Sequence, residues 1–269
     1  MWLNGDLTSI EIQKVNNLYL FFIEDKTTEA TFFGLEAIRA FMAVGEVDFE
    51  NEIIKDPSFI GTKAECVLDE LISSGNNLFK QVSEAFTNNR SKYKIKFTTY
   101  NDPYDPANAR TPLPDPQGII EIRFNLARTG LFTNSNSIDL ARDILHETIH
   151  AELHRIKLSN NAGPNPLPTA QFNWYVDIWE YYDNPLNTEG PATTAEHYYM
   201  SNFFINPIAQ GLKEFDNNLH LVSNYIYFAW EGLENYGKEA EYISQSELDE
   251  LAILSNVVLN DGYTSPCDN

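Results

Sequence analysis

The chain has 269 residues, 43% of them hydrophobic, which suffices for one large domain or two small ones around a packed core. Its 18 lysines and arginines face 39 aspartates and glutamates, a formal net charge of −21 that disfavours nucleic acid or an anionic membrane surface as the main partner, since both repel such a protein. Aromatic residues at 13% are too many for a disordered acidic tail.

In chain order, the apolar run at 18–23 is too short to span a bilayer and lacks the basic flank and cleavage site of a signal peptide. No membrane insertion is expected, and localisation stays open. The first 55 residues read as mostly helical: residues 28–44 carry Phe32, Phe33, Leu35, Ile38, Phe41 and Met42 at helical spacing, ended by Gly45. Asp56-Pro57-Ser58 is a break, dividing the chain into an N-terminal helical segment, 1–57, and a domain, 58–269. A second helix is expected over 63–86, interrupted near Ser73-Ser74-Gly75. Residues 93–97 alternate polar and apolar, as a half-buried strand does. Prolines at 103, 106, 112, 114 and 116, with Asp and Asn between them, make 101–117 an extended connection. Alternation resumes over 118–124, a strand expected to pair with the first. A strongly marked helix follows, then a proline-rich loop after Asn160, an aromatic segment from 174 to 182, a Gly190-Pro191 turn and further helix. The order predicts an α+β fold, mostly helical, with a small β-sheet preceding the marked helix. No period of 20–50 residues repeats. Cys66 and Cys267 lie far apart and form no CxxC pair, so they read as two free thiols rather than one long-range disulfide.

Residues 139–156 carry the chemistry. His146-Glu147-Thr148-Ile149-His150 is an HExxH motif, and on a helix four residues is just over one turn, so both imidazoles leave one side and can share a Zn²⁺ ion. Glu147 beside them is placed to act as general base on a water at the metal. Three of the five histidines in the chain fall at 146, 150 and 154. Ile138, Ala141, Leu145, Ile149, Leu153 and Ile156 make an apolar stripe, and His146 and His150 project to its flank, where a partly buried cleft wall would lie. Glu152 falls within that stripe, where a lone carboxylate is costly; it either supports a ligand or neighbouring helix or reaches solvent past a narrower stripe.

A catalytic zinc site uses three protein ligands plus water, so a third must come from elsewhere. His154 lies roughly 12 Å along the axis from His146, too far for the same tetrahedral ion. The extended metzincin pattern is excluded, because its third histidine position holds Ile156. His197, in Glu196-His197-Tyr198-Tyr199-Met200, is the expected third ligand. Glu196 and Glu180 are the rivals, although Thr193-x-x-Glu196 reads as a capping box that would engage Glu196 with backbone. His220 reads as an ordinary surface or core histidine.

HExxH on a helix after a small sheet resembles the zincin superfamily of zinc metallopeptidases. A closer resemblance is to zinc-metallopeptidase domains at the C-termini of Bacteroidetes proteins, some of them Rhs-like or polymorphic-toxin-like. It is carried by Gly61-Thr62-Lys63-Ala64-Glu65-Cys66-Val67, by residues 144–152 around HExxH, by Glu196-His197-Tyr198-Tyr199-Met200, by Leu212-Lys213-Glu214-Phe215-Asp216 and by Ala229-Trp230-Glu231-Gly232-Leu233. In such domains the histidine of the His-x-x-Met piece completes the metal site, which points to His197 here. Asn206-Pro207 departs from the pattern by interrupting what resembles an unbroken helix. The resemblance implies a zincin-like fold and hydrolysis of peptide bonds in a peptide or protein substrate, with Zn²⁺ on His146, His150 and His197 and Glu147 as base. A tyrosine or His154 would stabilise the oxyanion, and the edge strand holding substrate is expected at 118–124. The alternatives are a non-catalytic zincin-fold binding module, with Trp174, Tyr175, Trp179, Tyr181 and Tyr182 as a ligand surface, and an effector or toxin peptidase domain of a larger secreted protein.

Overall fold

The computed structural model describes residues 8–24, 26–49, 51–87, 92–128, 136–163, 165–183, 193–260 and 265–268, and the Gly190-Pro191 turn lies outside them. Two helices, α1 (Ser9–Glu24) and α2 (Thr28–Met42), precede two short strands, β1 (Glu46–Asp48) and β2 (Ile53–Lys55), that end the segment expected to be helical. Then come α3 (Lys63–Ser73) and α4 (Asn77–Ser83), split where Ser73-Ser74-Gly75 indicated. Thr62 and Asn76 cap them by accepting from the backbone N–H of Glu65 and Phe79. Three further strands follow, β3 (Lys94–Tyr100), β4 (Ala109–Arg110) and β5 (Ile119–Asn125).

The sheet order is β1-β2-β3-β5-β4, with β2, β3 and β5 parallel and the two outer strands antiparallel, a mixed sheet in an α+β fold. It runs across the break at residue 57, since β2 pairs with β3. The pairing of the two alternating segments is parallel over seven residues, Lys94 opposite Ile119 to Tyr100 opposite Asn125. Alternation in β3 does not mark a solvent face throughout: Lys94 is buried, ion-paired with Glu52 and donating to the Phe86 carbonyl at 2.8 Å. A buried charge held by two partners is tolerated where a lone one is not.

Strand β5 is not the edge. Among the described residues strand β4 closes the sheet beyond it, with Ala109 opposite Phe124 and Arg110 opposite Arg123. Two residues among five prolines give no periodic signal, so the sequence shows only a connection there. The fully buried Asn125 fixes this wall: its amide donates to the Asp102 carbonyl at 2.8 Å and its oxygen accepts from the Asp102 and Ala127 N–H groups.

Helix α5 (Ser137–Leu158) is the centre of the molecule. Asp139 in its first turn and Arg155 and Lys157 in its last complement the helix dipole, and Asn160 and Asn161 adopt positive φ just past its end. It packs against α3, α4, β5 and the later helices, so it is buried nearly all round between Ser137 and Ile156 rather than along one stripe. Residues Ile53, Ile95, Phe97, Ile120, Ile122 and Phe124 of the sheet join Val67, Leu68, Ile144, Leu145 and Ile149 of the helices in one core. A smaller cluster of Phe33, Ala40 and Ile54 seats the N-terminal helices.

The remaining helices are α6 (Thr169–Asp183), α7 (Thr193–Phe203), α8 (Ile205–Phe215), α9 (Ile226–Trp230), α10 (Glu234–Glu239) and α11 (Gln245–Asn260). The interruption expected at Asn206-Pro207 is a break between α7 and α8 at Phe204, with proline in the first turn of α8, where its missing N–H costs nothing. Among the described residues no helix is long and apolar enough to cross a membrane.

The two cysteines are not free thiols. Cys66 and Cys267 form a disulfide with Cα atoms 5.7 Å apart. The C-terminal turn folds back onto α3 and the start of α5, where Asp268 pairs with Lys63 at 2.5 Å and accepts from the Ser137 hydroxyl at 2.8 Å. Sequence separation conceals such a contact.

Candidate metal centre

Helix α5 presents His146 and His150 one turn apart, and the first turn of α7 brings His197 against them. One potential ligand atom from each lies within 4.8 Å of the others. The Nε2 atoms of His146 and His150 are 3.1 Å apart. Among the described residues, no fourth His, Cys, Asp or Glu joins this group.

The electrostatics suit a cation. Burial first, then the neighbouring imidazoles His150 and His197, hold His146 well below its ordinary pKa, and burial followed by His150 holds His197 down to about 3. Both rings are therefore neutral, the form that ligates a metal. The buried Nδ1 of His197 has no hydrogen-bond partner among the described residues, a polar atom left for something else to satisfy.

His150 differs because of Glu196. Burial alone would lower its pKa, but the Glu196 carboxylate reverses the direction, accepting from His150 Nδ1 at 2.5 Å. That bond places the ring proton on Nδ1 and leaves Nε2 facing His146 with a lone pair. Glu196 is fully buried; its other oxygen lies 2.8 Å from His154 Nε2 and accepts from Tyr175 Oη at 3.3 Å. Among the described residues the Glu196 carboxylate is thus taken up by side chains of α5 and α6, and it is not a member of the ligand cluster. The side chain of Thr193 lies outside the described residues.

The other sequence candidates fall elsewhere. Glu180 is exposed on α6. His154 faces Glu196 and meets Trp179 edge-on with ring centroids 5.9 Å apart, so it does not line the cleft and an oxyanion role is set aside. His220 lies by Tyr225, centroids 6.3 Å apart. Glu152 takes neither expected course: it is buried and grips Arg155 through both oxygens, at 2.6 and 2.7 Å, while Arg155 also donates to the Ala162 carbonyl at 3.0 Å. Of the aromatic segment, Tyr175 and Trp179 are core, and Tyr181 is exposed.

The histidines open on a cleft of about 690 Å³ between β4, α5 and the α9–α10 turn. Glu147 lines it. The Thr111 hydroxyl, immediately after β4, donates to Glu147 Oε2 at 2.8 Å and lies 3.1 Å from its backbone oxygen. Burial, outweighing His150 and the Thr111 bond, pushes the Glu147 carboxyl above its ordinary value. A carboxyl raised in this way is suited to take up and release a proton. On the far wall Arg142 holds Asp143 at 2.8 Å and pairs with Glu231, and Gly232, at φ +85°, turns the chain past His146. Tyr236 stands with its ring centroid 4.8 Å from that of His197. Thr111 and Arg142 escaped sequence reasoning; each is a single polar residue whose meaning comes from a partner on another element.

No protein-family model, no curated protein and no solved structure matches the chain.

Proposed function

We propose that this chain is a zinc-dependent metallopeptidase of zincin-like fold, and the observation that carries it is the convergence of His146, His150 and His197 beside Glu147 in one cleft. The donor set is the three-histidine set of catalytic zinc sites. Two ligands of a tetrahedral zinc at about 2.0–2.1 Å are about 3.3 Å apart, close to the 3.1 Å between the two Nε2 atoms. A structural ion would call for a fourth protein ligand, and a base beside it would have no task.

Zinc bound there supplies Lewis-acid activation of water and of the substrate carbonyl. Glu147, kept in place by Thr111, accepts the proton of the attacking water and passes it to the departing amine. Glu196 keeps the His150 ring in one orientation and one tautomer. Strand β4 closes the sheet at the cleft, so an extended peptide adds along its free edge and its scissile bond comes beside Glu147. The disulfide favours an oxidising compartment as the place of action.

The test is zinc stoichiometry together with cleavage of a broad peptide library by the wild type and by Glu147→Gln. One zinc in both proteins with cleavage by the wild type alone supports the reading; equal cleavage by the variant refutes the mechanism.

A further inference from the structure

Four arginines and no lysine line the cleft: Arg110, Arg123, Arg128 and Arg142. This concentration stands in a chain with only 18 basic residues and a net charge of −21. Arg142 is engaged by Asp143 and Glu231. The other three belong to the β4–β5 wall.

Arg110 and Arg123 are direct cross-strand partners, so two guanidinium groups share one face of the sheet edge. Like charges so placed cost stability, and both side chains remain about half exposed, at 57% and 46%. Arg128, in the turn after β5, is exposed and has no acidic partner among the described residues. Asp105 pairs with Arg110 through both oxygens and accepts from Tyr100 Oη at 2.8 Å, which fixes the guanidinium plane; Glu121 lies 3.4 Å from Arg123. The acidic groups of the cleft have partners of their own: Glu147 with Thr111, Asp143 and Glu231 with Arg142, Glu234 with the Gly232 N–H.

Side chains alternate across the sheet. Ala109 is buried and Thr111 reaches Glu147, while Arg110 lies on the opposite face with Arg123. A peptide added along the free edge of β4 therefore lays every second side chain on the arginine face.

We propose that the β4–β5 wall is a carboxylate-recognising subsite, and that the peptides taken by this cleft carry Asp or Glu at alternate positions beside the scissile bond. The inference rests on the peptidase reading above and names the substrate class for it. A side-chain carboxylate and a free C-terminal carboxylate share the chemistry that guanidinium reads in bidentate fashion.

The experiment uses quenched-fluorescent alanine-based peptides with two Glu residues at alternate positions, the same pair shifted by one residue, the matching Gln peptides, and each with a free or amidated C-terminus. The full chain loaded with zinc is compared with the double variant Arg123→Gln, Arg128→Gln by kcat/KM. The same peptides are bound to Glu147→Gln, with and without the two arginine changes, by fluorescence anisotropy. The Glu peptide in one register is expected to exceed its Gln counterpart by about tenfold in kcat/KM and in Kd, with most of that preference lost on the one-residue shift, in the arginine variants and at high salt. Indifference to amidation assigns the preference to side chains; its loss on amidation assigns it to the terminus, and either supports the subsite. Equal handling of Glu and Gln peptides, a preference that survives loss of both arginines, or no binding of any peptide overturns it. Charge-dependent binding without cleavage retires the hydrolase and keeps the subsite, whereas cleavage indifferent to charge does the reverse.

Discussion

Glu196 accepts a hydrogen bond from His150 Nδ1 at 2.5 Å, from a helix 46 positions further along the chain. The same ring turns its Nε2 to His146 at 3.1 Å. One buried carboxylate thus decides which face of the His150 imidazole is available, and it reaches His154 at 2.8 Å as well. The candidate metal centre on α5 is completed by a residue adjacent to His197, so α7 supplies both a candidate ligand and the support for another.

Glu196→Ala is expected to weaken zinc affinity about 10–100-fold, measured by competition with a chromophoric chelator. Glu196→Gln, whose amide oxygen can still accept from His150 Nδ1, should recover a large part of that loss. Equal affinities in all three proteins would show that Glu196 does not orient His150.

Glu147→Gln should lower kcat/KM for a cleaved peptide by about 10²–10⁴-fold while zinc content and thermal midpoint stay near wild type. His197→Ala should instead lose the metal, so the two variants separate base from ligand by zinc analysis alone.

Thr111→Val removes the hydroxyl that donates to the Glu147 carboxylate. That bond favours the charged form and pulls against the upward push of burial. Its loss raises the Glu147 pKa further, so the acid limb of the kcat/KM profile should move to higher pH, with activity at the optimum reduced about tenfold or less. An unmoved acid limb would assign Thr111 a purely structural place.

Cys267→Ser releases the C-terminal turn from α3 and from the start of α5. The expected cost is about 2–5 kcal/mol in chemical denaturation, and intact-mass analysis of the wild type should gain about two mass units only after reduction. A thiol titration finding two free cysteines in the native protein would contradict the bridge.

Much of the fold and half of the candidate site could be read from local pattern. The HExxH spacing on a marked helix gave His146, Glu147 and His150, and the His-x-x-Met piece pointed to His197. Glu196 was harder, because Thr193-x-x-Glu196 offered a sufficient local use for its carboxylate, while its partner sits on another helix. Strand β4 is two residues long in a proline-rich stretch, too short for alternation to show, and with it went the true sheet edge, Thr111 and the facing pair Arg110 and Arg123. The Cys66–Cys267 bridge depends on the chain end folding back onto α3. In each case the missing information was tertiary: which element lies opposite a residue, rather than what the residue is.

The most direct measurement is a crystal structure of the zinc-loaded protein with anomalous data at the zinc edge. One ion is predicted, about 2.0–2.1 Å from Nε2 of His146, Nε2 of His150 and a ring nitrogen of His197, with a non-protein oxygen at the remaining position beside Glu147. An ion bound elsewhere, a fourth protein ligand closing the site, or His197 outside coordination distance would contradict the account.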